Sequence, residues 1–130
     1  MARLFPTGKA KSEAGFTLME LLMVLFIVGL LASLSVPIVS SSLTRAREVA
    51  LLETLSITRR SIDAYYSDKG SYPETLATLV DEKYLRSVPI DPITKSEEWR
   101  LEYTQDSTGI IDLHSNSSEQ GAKNTPYSEW

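Results

Sequence analysis

One segment constrains this chain more than any other. From Leu21 to Ala32 the sequence reads LLMVLFIVGLLA, twelve consecutive residues without a polar side chain. Extended to Phe16 on one side and Val39 on the other, the apolar stretch covers 24 positions, with Thr17, Glu20, Ser33 and Ser35 as its polar interruptions. A helix needs roughly 20 apolar residues to cross the hydrocarbon layer of a bilayer. A chain of 130 residues has too little mass to enclose such a helix in a soluble core. The segment is therefore expected to span a membrane.

Within that stretch Glu20 is out of place. A carboxylate inside a bilayer costs about 2.5–3.5 kcal/mol on insertion scales and marks a functional position. An ordinary secretory signal, cut near Ser33 to Val36 after its apolar region, is the main competing reading. A discarded signal has no use for a buried charge, and Glu20 weighs against it. Near the start of a helix a negative side chain also complements the helix dipole.

The segment Gly15-Phe16-Thr17-Leu18-Met19-Glu20-Leu21 resembles the processing motif of type IV pilins and pseudopilins. The resemblance implies that a prepilin peptidase cuts between Gly15 and Phe16, that the new N-terminal Phe16 is N-methylated, and that the apolar helix is retained. It places Glu20 at the fifth mature position. The new α-amino group and the Glu20 carboxylate are each unfavourable in lipid, and pairing them within or between subunits relieves both. Glu20 is accordingly expected to set the register of assembly. Pro37 lacks an N–H and clashes with the carbonyl four residues earlier, so a kink or local unwinding is expected near Ser33.

Beyond Pro37 the helix is expected to continue to about Ser67. Leu51, Leu55, Ile62 and Tyr65/Tyr66 share one face, Gly70 supplies the stop, and Asp63 is placed to meet Arg59 and Arg60. Pro73 suits the start of a short helix through Val80. Trp99 to Thr104 and Ile110 to His114 alternate as strands around a turn at Gln105–Gly109. Tyr127 and Trp130 are expected to fix the tail to the head. The region Ser71–Pro92 resembles the variable loop of the major pseudopilins of type II secretion systems. The fold class is thus α+β and pilin-like, a long N-terminal helix with a small antiparallel sheet. Its parts are a leader (1–15), a membrane and polymerisation helix (16–39) and a periplasmic head (40–130).

Calcium is usual in the C-terminal loop of that family. Asp112-Leu113-His114-Ser115, Glu119 and Trp130 match parts of the loop, but the acidic residues beyond Glu119 are missing, so no metal and no cofactor is assigned. There is no cysteine, hence no disulfide framework or thiolate site. His114 is the one histidine, and no nucleophile motif is present; the chain is not expected to be an enzyme. The net charge is −4, and it becomes −6 once Arg3, Lys9, Lys11 and Glu13 leave with the leader. That balance gives nucleic acid no foothold. The positive-inside rule, with Arg45 and Arg47 near the far end, does not fix orientation; the resemblance implies a cytoplasmic leader and a head outside the inner membrane. It further implies a homo-polymer formed through the N-terminal helix, with prepilin peptidase, minor pseudopilins and an inner-membrane assembly platform as partners. The expected function is a secretion pseudopilus subunit, with a type IV pilus subunit as the alternative.

Overall fold

A computed structural model of the chain describes Gly8 and residues 15–130. Arg3, Lys9 and Lys11 of the expected leader lie outside the described residues. The chain forms two compact units whose boundary falls between Ile38 and Val39. Helix α1, Leu18–Lys69, supplies residues to both.

In the first unit α1 carries its apolar residues without burying them: Leu21, Leu22, Leu25, Phe26, Leu30 and Leu31 are each more than half exposed. Leu, Met and Ala favour helix by intrinsic propensity, and the serines do not interrupt it. Ser33 Oγ donates to the Leu30 carbonyl at 2.7 Å and Ser35 Oγ to that of Leu31 at 3.2 Å. Their hydroxyls are thereby satisfied against the helix backbone rather than in lipid. Pro37 sits inside α1 without ending it.

The second unit is organised around the C-terminal part of α1. Leu51, Leu55, Thr58 and Ile62, spaced at helical intervals, are buried, and a stripe at that spacing gives one packed face. The helix stops at Gly70, whose φ of 74° is the left-handed conformation that glycine adopts most cheaply. The Gly70 N–H donates to the Tyr66 carbonyl at 2.8 Å, closing the last turn.

The short helix α2, Leu76–Asp81, begins later than its proline suggests. Thr75 is the N-cap, its hydroxyl accepting from the Thr78 N–H at 3.2 Å. Pro73 is buried instead, and its carbonyl accepts from the Ile110 N–H at 2.8 Å, tying this loop to the sheet. A threonine cap satisfies an otherwise orphaned N–H, which a proline at the same end cannot do. Leu76 and Leu79 face the core.

Strands β1, Trp99–Tyr103, and β2, Ile110–Ser115, pair antiparallel with Trp99 opposite Ser115 and Leu101 opposite Leu113. The register slips between Glu102 and Tyr103. In the connecting turn the Asp106 carboxylate accepts from the hydroxyls of Thr104 and Thr108 and from the Thr108 N–H. These hydrogen bonds hold its carboxyl below the usual carboxylate range. Gly109 packs so closely that a Cβ there would lie 2.6 Å from Tyr72 Cβ. Trp99, Ile110 and Leu113 complete one core with Leu51, Leu55, Ile62, Leu76, Leu79 and Tyr127. Each such large side chain contributes about 1.5–3 kcal/mol on burial.

Candidate assembly site

At the N-terminus of α1 two residues satisfy each other. The Glu20 N–H donates to Thr17 Oγ1 at 3.1 Å, while Glu20 Oε2 accepts from the Thr17 N–H at 3.2 Å. This is a capping box, with Thr17 as N-cap and the glutamate three residues on. Its T-x-x-E signature is contiguous in the sequence. Phe16 and Leu18 beside it are 92% and 74% exposed, so the capped end presents apolar side chains outward. Among the described residues α1 is the one helix long and apolar enough to cross a membrane.

The head closes on its spine through polar side chains. Glu48 is buried. Its Oε1 accepts from the Ala122 N–H at 2.8 Å and from the Tyr127 hydroxyl at 2.9 Å. Burial first, then this bond to a carboxylate, push the Tyr127 phenol up to about 12. Tyr127 and Trp130 meet edge to face, ring centroids 5.0 Å apart. Gly121 lies under them, where a Cβ would come within 2.5 Å of the indole. The expectation that these aromatics hold the tail agrees with this packing; the carboxylate that receives the Tyr127 hydroxyl was not expected.

Arg59 does not turn to Asp63. Its Nε donates to Asp112 Oδ1 at 2.7 Å, and its Nη2 donates to the main-chain oxygens of Leu113 at 3.1 Å and Trp130 at 2.9 Å. One guanidinium thus joins α1, β2 and the tail, which a planar five-donor group does better than an ammonium. Asp91 is fully buried and accepts from the Ser115 hydroxyl and, at 2.8 Å, from the Ile93 N–H. It fastens the proline-rich loop to the end of β2. Tyr84 donates to Asp68 at 2.7 Å, and that bond raises its phenol to about 12.

The family model for the prokaryotic N-terminal methylation motif matches residues 10–36, the segment that contains Gly15, Phe16 and Glu20. The type II secretion system core protein G of Dickeya chrysanthemi is 30% identical over 115 residues, which cover 76% of this chain and 71% of that protein. The chain belongs to the type II secretion system core protein G family. The corresponding protein of Pseudomonas aeruginosa is 27% identical over 88% of this pseudopilin and 92% of its own length. The fimbrial protein EcpC of Eikenella corrodens is 29% identical over 75% of this chain and 66% of its own. No solved structure matches significantly. The pseudopilin is a type IV pilin-like structural subunit, and its exposed apolar helix fits anchoring in the inner membrane.

The positions that match the calcium loop of that family, Asp112 and Ser115, make hydrogen bonds within the protein. Asp112 Oδ1 accepts from Arg59 and from the Leu113 N–H, and Ser115 Oγ donates to Asp91. At Ala122 the loop turns an N–H, not a carbonyl, toward Glu48. Calcium needs six to eight converging oxygens, and here Asp112 Oδ1 and Ser115 Oγ are engaged within the protein.

Proposed function

We propose that this pseudopilin polymerises through α1 into a short periplasmic filament that drives type II protein secretion. The observation that carries the reading is an apolar, outward-facing helix that begins at the processing motif and whose first turn is closed by Glu20. Residues 1–15 are the leader, cut between Gly15 and Phe16 by prepilin peptidase, and Phe16 is then N-methylated. Residues 16–39 insert in the inner membrane with the leader in the cytoplasm, and the head, 40–130, stands in the periplasm. Minor pseudopilins and the inner-membrane assembly platform are its partners, and its work is structural rather than enzymatic.

In this reading Glu20 keeps its cap on Thr17 and still has a role in register. An ionised carboxylate offers about four lone-pair sites, and the capping bond engages Oε2 alone. The rest can receive the α-amino group of Phe16 from a neighbouring subunit, so that two charges costly in lipid neutralise each other. Pro37 softens α1 at the head side of the membrane and lets packed subunits bend.

Intact mass and N-terminal sequence of the membrane-extracted protein, with and without co-expressed prepilin peptidase, test the pathway. A mature chain that starts at Phe16 and carries one extra methyl group supports it; a soluble chain starting near Ser35 removes the polymerising helix and ends the reading. The similarity to a fimbrial protein favours a second reading, a subunit of a type IV pilus. Deletion of the gene separates the two: loss of secreted proteins from the medium supports secretion, while intact secretion with loss of surface filaments supports the pilus.

A further inference from the structure

Two carboxylates face each other directly across the hairpin. Glu102 and Asp112 are register partners, and like charges directly opposite on one face of a sheet are destabilising. Leu113 and Ser115 point into the core, so Asp112 and His114 share the other face by strand alternation. The His114 imidazole enters the gap. Its Nε2 lies 3.1 Å from Glu102 Oε1 and 3.7 Å from Asp112 Oδ2, and the three ligand atoms all fall within 4.8 Å of one another.

The surroundings orient each group. His114 Nδ1 is 2.7 Å from the Trp130 main-chain oxygen. That oxygen can only accept, so Nδ1 carries the hydrogen and Nε2 is the nitrogen aimed at the carboxylates. Asp112 gives Oδ1 to Arg59 at 2.7 Å, which leaves Oδ2 for the gap. An imidazole fixed through its other nitrogen and a carboxylate held by an outer donor are the supports metal ligands ordinarily have.

We propose that His114 Nε2, Glu102 Oε1 and Asp112 Oδ2 bind a divalent transition-metal cation of the zinc class. Ligand atoms around tetrahedral zinc stand about 3.3 Å apart given bonds near 2.1 Å, and the two measured separations from Nε2 straddle that value. The imidazole selects against calcium, which takes oxygen ligands, and for zinc-like ions. The His114 side chain is 13% exposed and that of Glu102 54%, so the fourth position opens to water. The cation would offset the opposed carboxylates and, through His114 and Arg59, brace the tail that both residues hold at Trp130. The sequence reading assigned no metal, and the filament reading does not depend on this site.

The test uses the full-length chain in detergent, stripped with chelator and titrated with Co2+. The expected result is one Co2+ per chain with a visible absorption band that one equivalent of Zn2+ abolishes and excess Ca2+ does not. Glu102→Gln and His114→Gln should each weaken Co2+ binding by about tenfold or more, while Asp63→Asn, on the exposed face of α1, leaves it unchanged. Far-UV circular dichroism checks that the variants fold; should His114→Gln fail, the more exposed Glu102→Gln carries the test. No binding below about 1 mM, or binding that survives Glu102→Gln, overturns the proposal and leaves His114 as an ordinary partner of the two carboxylates.

Discussion

The carboxylate of Glu48, on the helical spine, accepts a hydrogen bond from the phenol of Tyr127, 79 residues further along the chain, at 2.9 Å. The same oxygen takes the Ala122 N–H. A single buried acceptor therefore holds both Ala122 and Tyr127 of the C-terminal segment. Replacing Glu48 with Ala should cost about 2–4 kcal/mol, since hydrogen bonds to charged groups contribute about 1.5–3 kcal/mol and two donors are left buried without a partner. Tyr127→Phe, which removes one bond and keeps the ring, should cost about 1–2 kcal/mol. Urea unfolding followed by circular dichroism measures both; equal, near-zero effects would mean the tail is held by its aromatics alone.

The same pair gives the head an alkaline limit. Tyr127 and Tyr84 both titrate at about 12 instead of 10.0. A phenol whose folded-state value is raised stabilises the fold fully below pH 10, and the contribution fades as pH rises from 10 to 12. Stability should hold to about pH 9 and then fall, with the two tyrosinate absorptions appearing late. Asp106 acts in the opposite direction. Its lowered value gives stability present above the ordinary 3.8 and lost as pH drops further. Spectrophotometric titration of wild type against Tyr127→Phe isolates the contribution of Tyr127.

Gly121→Ala should destabilise the tail by about 1–3 kcal/mol through overpacking. The added methyl would meet Trp130 at 2.5 Å and Tyr127 at 2.9 Å. Tryptophan fluorescence should shift as the indole is displaced, and an unchanged spectrum with unchanged stability would show that the ring has room to move.

Thr17 and Glu20 allow capping to be separated from assembly. Thr17→Ala removes the hydroxyl that accepts from Glu20 and should cost about 0.5–2 kcal/mol of helix stability. Glu20→Gln keeps a side chain that serves in a capping box but removes the charge. If Glu20 sets register by charge, Glu20→Gln should abolish filament formation while Thr17→Ala spares it. Sedimentation of sheared filaments reads the difference; the reverse order of effects would reduce Glu20 to a helix cap.

The two stretches of α1 should respond differently to truncation. Leu55 is 0% exposed and Leu25 is 58% exposed. Leu55→Ala should destabilise the head by about 2–5 kcal/mol, whereas Leu25→Ala should leave its melting unchanged and be felt only in membrane extraction or polymerisation.

Much of this protein was legible in its sequence because the signals are local. Apolar spacing of 3.6 and 2 residues marks the Leu51–Leu55–Ile62 face and both strands. A contiguous motif marks the segment that matches the prokaryotic N-terminal methylation motif, and Gly70 marks the helix stop. Three local expectations missed. Tyr66, placed on the buried face, is 46% exposed, and the helix runs unbroken past Ser33 and Pro37. The helix start expected at Pro73 falls later because Thr75 supplies a hydroxyl cap. The partners of the polar side chains were not legible. Arg59 had Asp63 one turn away, an exposed pair worth a few tenths of a kcal/mol, but it joins Asp112 and two main-chain oxygens on distant segments. Asp91 reaches Ser115 across 24 residues. Such pairs form only after the core has brought the spine, loop and hairpin together. Burial then decides between them, because a polar group removed from water must take whatever complementary partner the packed fold sets beside it.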